Sequence, residues 1–242
     1  MSLIFPDTPA SILRLILTPE CNLRCIYCHN EGFEREIDSF SALPLIVESF
    51  PDVLRIVIDI FGGNQVHVST NGVRLDRHLD LMKDLGVARI NVSCDAVDRI
   101  QYQRITGRDC FTRVVENIES AVDYNFFVNV NCVTLNGINM DRDYVYSMLD
   151  FWREMGVRLS ILRLCFAFDR MNEYKYDINE LITLFNSNGM NSFLTSHNNR
   201  PPTLCYNYHD LEVAVRYYVP NRSNYPCTAC HKRERGWTVS SS

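Results

Sequence analysis

The stretch 11–18, Ser-Ile-Leu-Arg-Leu-Ile-Leu-Thr, is short and almost wholly apolar, as a strand buried on both faces must be, and Pro19-Glu20 ends it. The pattern then changes period. Over 41–50 and 51–61 apolar residues recur at helical spacing, with Pro51-Asp52 where a helix would start and Gly62-Gly63 where it would stop. Residues 66–70 alternate and run into the turn pair Asn71-Gly72, after which a helix is predicted over 75–85, closed by Gly86. The same unit recurs as strand 88–94, helical 97–106 and 111–124, strand 126–135, turn Asn136-Gly137, helix 141–155, Gly156 and strand 158–165. Strands alternating with glycine-ended helices imply βαβ crossovers, and so an α/β fold with a parallel sheet. In such sheets ligands bind at the carboxyl ends of the strands.

Composition narrows this without redirecting it. A chain of 242 residues that is 46% hydrophobic can bury a real core. No apolar run approaches the length needed to span a bilayer, and the first residues lack the basic segment and long apolar stretch of a secretory signal. The expectation is a cytoplasmic protein with no membrane partner, whose ten cysteines serve as reduced thiols and metal ligands rather than disulfides. Oxygen sensitivity should follow. A formal net charge of −5 argues against a nucleic-acid surface. The tail differs locally, since Arg200, Arg216, Arg222, Lys232, Arg233 and Arg235 outnumber Asp210, Glu212 and Glu234.

The candidate chemistry lies just after the first strand, in Cys21-Asn22-Leu23-Arg24-Cys25-Ile26-Tyr27-Cys28. Three thiolates this close can hold one inorganic cluster, and three ligands on a four-iron cubane leave one iron open to a small molecule. Two other readings stay open. Positions i, i+4 and i+7 would also stack three small apolar side chains on one helix face. A zinc site is the other, and it would need a fourth ligand such as His29.

This segment resembles the signature of the radical S-adenosylmethionine (SAM) enzymes, with Tyr27 in the aromatic position before the last cysteine. The resemblance implies a [4Fe-4S] cluster on Cys21, Cys25 and Cys28, with SAM on the open iron. It also implies one-electron cleavage to a 5′-deoxyadenosyl radical that abstracts hydrogen, and a reductant such as flavodoxin or ferredoxin. The likeness runs from about residue 12 to 168. Thr70-Asn71-Gly72, 90–96, 104–107, 129–133 and Gly137-Ile138-Asn139 are similar in order and spacing to the strand ends of the GTP cyclase of molybdenum cofactor biosynthesis. On that likeness Tyr27, Thr70, Asn71, Ser93 and Asp95 would line SAM, with strand-end capping the alternative for Ser93 and Asp95 and an ordinary turn the alternative for Asn71-Gly72.

The chain also departs from that pattern. No Gly-Gly-Glu-Pro-like element follows the cysteine loop, and Gly62-Gly63-Asn64 reads as a helix C-cap instead. The stretch from Cys28 to Thr70 is too short for a helix, strand and helix, so one strand should be missing or replaced. Arg14 matches a first-strand arginine that contacts GTP, but neutral Asn129 stands where a phosphate-binding lysine is expected, which argues against GTP. In the tail, a strand over 211–219 and a turn over 220–224 lead to Cys227 and Cys230, which with Cys205 form a second three-cysteine set. It suits a second [4Fe-4S] cluster, closed by Cys165, His209 or His231 if a fourth ligand is used, or structural zinc. Cys94, Cys110 and Cys132 read as small core residues.

The combined expectation is a partial (β/α) barrel of the radical SAM type over 1–170, with a small C-terminal cluster-binding appendage over 171–242. It would act on a small substrate, phosphorylated or carboxylated, met by Arg14, Arg222 and Arg233. No acid–base residue can be named. A GTP cyclase tolerating Asn129, and a non-catalytic iron–sulfur binding or electron-transfer protein, are the rivals.

Overall fold

The computed structural model describes residues 13–16, 21–28, 43–164, 169–195, 203–216 and 237–240. After β1 (Leu13–Ile16) and the cysteine loop come α1 (Leu43–Phe61), β2 (His67–Thr70), a 3-10 turn over Leu75–His78 and α2 (Leu79–Asp84). They are followed by β3 (Arg89–Ser93), α3 (Arg99–Thr106), α4 (Phe111–Asp123), β4 (Phe127–Thr134), α5 (Arg142–Glu154) and β5 (Arg158–Arg163). The remainder is α6 (Ile178–Ser187), β6 (Asn191–Thr195), β7 (Thr203–Tyr208), β8 (Leu211–Arg216) and β9 (Trp237–Ser240).

Strands β2, β3, β4 and β5 are parallel neighbours in that order, as the alternating pattern required. The sheet runs on past residue 170, where the sequence suggested a separate appendage: β8 pairs parallel to β5, and β7 and β6 follow antiparallel, giving the order β2-β3-β4-β5-β8-β7-β6. The predicted strand 211–219 is thus β8, a member of the main sheet rather than of a cluster-binding tail, and 217–219 lie outside the described residues. β1 pairs in parallel with β9 in a sheet of its own.

One face of the large sheet is apolar, with Ile90, Val92, Val130, Cys132, Leu159, Ile161, Val213 and Val215 all buried. Helices close over it because their apolar residues recur every three to four positions. α4 buries Val114, Ile118 and Ala121, and α5 buries Val145, Met148, Leu149 and Trp152. Capping fixes where these helices begin and end: the Asp141 side chain accepts from the Tyr144 N–H to start α5, and Gly107, at φ +66°, ends α3. Cys94 and Cys132 are buried as expected, whereas Cys110 is partly exposed.

The two helices predicted over 41–50 and 51–61 are one helix, α1, with Pro51 inside it. Proline removes one intrahelical hydrogen bond there, but the apolar spacing on its two sides is in phase, so a single helix satisfies both. Gly62-Gly63 does end it: Gly62 takes φ +80° and Gly63 opens a short 3-10 turn. Gly63 also passes so close to the end of α2 that an added Cβ would lie 2.3 Å from the Leu85 carbonyl oxygen and 2.5 Å from that of Gly86. Backbone atoms cannot step aside, so Gly63→Ala should cost roughly 1–3 kcal/mol in chemical denaturation. An unchanged midpoint would mean that this approach is looser than described.

Between the cysteine loop and β2 the described residues, from 43 onward, form α1 and a short 3-10 turn, and 29–42, where the expected gap in the strand order falls, lie outside the described residues. Among the described residues, no helix is long and apolar enough to cross a membrane.

Candidate functional site

The cysteine loop is not a helix. Its backbone is tied to the end of α3, where the Arg24 N–H donates to the Thr106 carbonyl at 2.7 Å and the Ile26 N–H to that of Ile105 at 2.9 Å. Carbonyls at a helix C-terminus lack intrahelical partners, so they are free to receive these donors. Gly107 makes the approach possible: a Cβ there would sit 3.2 Å from the Arg24 carbonyl oxygen. Within the loop, the Cys28 N–H donates to the Cys25 carbonyl at 2.9 Å, closing a tight turn that presents both thiols. Cys21 and Cys28 are exposed and Cys25 is half-buried.

A second set of ties comes from the carboxyl ends of the parallel strands. After β2, the Asn71 amide donates to Asn22 Oδ1 at 2.6 Å and towards Cys21 Sγ at 3.6 Å, and the Leu23 N–H also approaches that sulfur, at 3.4 Å. Hydrogen bonds to ligand sulfurs are among the groups that tune a cluster. Asn71 Oδ1 and Thr70 Oγ1 meanwhile accept from Val73 and Gly72 N–H and shape the turn. After β3, Asp95 accepts from the Tyr27 hydroxyl and, at 2.7 Å, from the Val133 N–H. Ser93 is exposed at the end of β3.

Burial pushes the Asp95 carboxyl up to about 6, with the bonds from Tyr27 and Val133 acting the other way. Burial chiefly, with Asp95, Cys21 and Cys28 adding to it, raises the Cys25 thiol above its usual range. A thiol so placed keeps its proton in the absence of metal and releases it to solvent when a metal centre binds the sulfur. No three His, Cys, Asp or Glu side chains among the described residues are gathered tightly enough for a single metal ion. Three thiolates on one loop are also the donor set of an iron cubane, which is larger than a single ion. The donor chemistry and the N–H groups aimed at Cys21 Sγ fit such a cluster.

The sheet face away from the helices is polar. Register places Ser93, Asn131, Ser160, Ala214 and Cys205 in one row, and Asn91, Asn129 and Arg158 in the next. Asn129 and Ser160 are fully buried. Ser160 Oγ donates to Asn129 Oδ1 at 2.9 Å and Asn129 Nδ2 to Asn131 Oδ1 at 2.9 Å, while Arg89 Nε donates to Asn91 Oδ1 at 2.9 Å. Arg158 pairs with Glu212. Cys205 is buried near Thr195 Oγ1 at 3.6 Å and Arg158 at 3.9 Å.

The structure therefore brings together Cys21, Cys25, Cys28, Tyr27, Asn71 and Asp95, and leaves Thr70 and Ser93 at neighbouring strand ends. Arg14 sits in β1, opposite Thr238 of β9. Cys227, Cys230, Arg222 and Arg233, together with His29, Cys165 and His231, lie outside the described residues. Asn139 had no assigned role in the sequence. It is fully buried, donates to the Asp95 and Val133 carbonyls at 2.7 and 2.9 Å, and accepts from the Leu135 N–H at 2.6 Å. Its only sequence signal was its place in Gly137-Ile138-Asn139.

Residues 40–149 match the profile of the Radical SAM superfamily. A Methanococcus aeolicus protein named "Probable GTP 3',8-cyclase" is 29% identical over 202 residues, covering 70% of this chain and 64% of that one. A Methanocella arvoryzae protein of the same name is 33% identical over 179 residues, covering 64% and 57%. The chain thus spans about six-tenths of the length of these curated relatives. The crystal structure of Streptococcus suis SuiB bound to S-adenosylmethionine shares the fold, with a TM-score of 0.61 at 13% identity, over 94% of this chain and 57% of that one.

Proposed function

We propose that this chain, a member of the radical SAM superfamily, uses a four-iron cluster on Cys21, Cys25 and Cys28 to cleave SAM by one electron, so that the 5′-deoxyadenosyl radical released takes a hydrogen atom from a small polar substrate. The observation that carries this reading is the tethering of one three-thiol loop to the ends of β2, β3 and α3, at the carboxyl edge of a parallel sheet. Each tether has its own task. The α3 carbonyls fix the loop backbone, Asn71 orients its first cysteine, and Asp95 with Tyr27 holds the turn between the other two. Ser93, exposed at the end of β3, and Thr70 remain as polar groups for SAM.

The substrate meets the polar sheet face. Asn129, at the position of the expected phosphate-binding lysine, is sealed in and its amide is spent on Ser160 and Asn131. Asn91 and Asn129, with Ser93, Asn131 and Ser160 in the adjoining row, are neutral hydrogen-bonding groups where a triphosphate would need cations, and the cation beside them, Arg158, is paired with Glu212. Cys205 lies in the adjoining row with Ser160 and Ala214, so a second cluster on Cys205, Cys227 and Cys230 would adjoin this face. A second reading, GTP as substrate, is favoured by the names of the relatives that the chain resembles.

Reduced, anaerobically reconstituted protein should release 5′-deoxyadenosine from SAM. Its affinity for SAM should be weakened, because the absent glycine-rich element forfeits about 1.5–3 kcal/mol for each lost hydrogen bond to the ammonium group. No cleavage by iron-loaded protein would overturn the reading. Consumption of GTP in step with 5′-deoxyadenosine release would select the cyclase.

A further inference from the structure

Tyr27 and Asp95, both expected near SAM, are joined to each other, Tyr27 half-buried and Asp95 buried. Asp95 is only 3% exposed, one carboxylate oxygen accepts from the Tyr27 hydroxyl, and the other from the Val133 N–H at 2.7 Å. Its backbone carbonyl is taken by Asn139, which in turn clamps the Val133 carbonyl and the Leu135 N–H. Tyr27 gives its hydroxyl proton to this assembly and sits inside the turn closed by the Cys28 N–H on the Cys25 carbonyl.

We propose that the side chains of Tyr27, Asp95 and Asn139 are positioning groups, a strut that holds the cysteine loop in its ligand-presenting shape before any cluster is present, and that the contact of the Tyr27 hydroxyl with Asp95 serves the loop rather than SAM. The strut links the loop to β4 through groups whose other hydrogen-bonding capacity is already used. A side chain fixed at Tyr27 fixes the residue between two ligands, so Cys25 and Cys28 are presented together. This preorganisation lowers the entropy that must be lost when the cluster is inserted. It rests on the reading that Cys21, Cys25 and Cys28 hold the cluster, but the shape of the loop is testable without iron.

The test uses the full chain with Tyr27→Phe, which keeps the ring, and Asp95→Asn, which keeps an acceptor for Val133 and an N–H that the Tyr27 oxygen can accept. In protein free of iron, amide exchange at Ile26 and Cys28 should rise by about tenfold or more in Y27F and by much less in D95N. On reconstitution, Y27F should load less iron than the parent chain and D95N most of it. SAM affinity per loaded cluster should stay within about threefold of the parent, as expected when no ligand contact is lost. Unchanged exchange in Y27F overturns the strut. A loss of SAM affinity of about tenfold or more per loaded cluster overturns it as well, since that is the mark of a direct ligand contact. Should the parent chain load no iron, the cluster reading fails, while the exchange measurement still decides the strut.

Discussion

Replacing Cys21, Cys25 and Cys28 together by alanine should remove about four irons per chain and reduce SAM cleavage to background. The expectation follows from how little else on the loop can serve. Its other side chains, Asn22, Leu23, Arg24, Ile26 and Tyr27, offer no thiolate, and Tyr27 is committed to Asp95. The loop itself should survive, because its backbone ties to Ile105 and Thr106 and the bond from Tyr27 involve none of the three sulfurs. Iron and acid-labile sulfide measured beside circular dichroism separate loss of ligands from loss of fold. The parent chain should carry roughly seven to eight irons if Cys205, Cys227 and Cys230 hold a second cluster, and about four if they do not. Iron left in the variant reports on that second set directly. A variant that keeps its full iron and its cleavage activity would refute the assignment of the loop.

Asn139→Ala should be the most damaging single change to stability among the residues around the loop. Asn139 touches no cysteine, but it satisfies the Leu135 N–H and the carbonyls of Asp95 and Val133 in a fully buried position. Removing its amide strands three backbone groups that water cannot reach, each costing about 1–3 kcal/mol. With some relaxation the total should be roughly 3–5 kcal/mol, a large share of the roughly 5–15 kcal/mol that holds a typical domain together. Urea denaturation of protein free of iron measures this without interference from the cluster. A loss below about 1 kcal/mol would mean that water replaces the amide.

The parallel core was legible because its signals are local. Alternation in 66–70 and 88–94, helical spacing in 111–124 and 141–155, and glycines after the helices each reflect forces acting over a few residues. The structure moves those boundaries by at most one residue. The hairpin of β7 and β8 went unseen as a pair, partly because its turn passes through His209 at φ +54°. A left-handed histidine gives none of the glycine signal by which a hairpin is read. Cys205, read as a ligand by its spacing to Cys227 and Cys230, lies in a strand that pairs on both sides. The three thiols of the candidate site stand out in the sequence by their spacing, and the resemblance to a family signature gave them a role. Their supports were not, since the contact between Tyr27 and Asp95 joins residues 68 apart and that between Asn139 and Asp95 residues 44 apart. Only tertiary structure makes such pairs neighbours.

The pairing of β1 with β9 bears on the order in which the loop is completed during synthesis. Leu13 lies opposite Trp237, a separation of 224 positions (237 − 13), so this pairing must wait for nearly the whole described chain to leave the ribosome. Contacts of such long range are slow to form because a large loop must be closed before any hydrogen bond rewards it. The partners of the other end of the loop are all available once residue 139 has emerged: Ile105 and Thr106 for its backbone, Asp95 and Asn139 for Tyr27. Asn71, which meets Asn22 and Cys21, is available earlier still. The contacts described for the three cysteines can therefore all form while the chain is incomplete, and only the pairing of β1, the strand that precedes them, waits for 237–240.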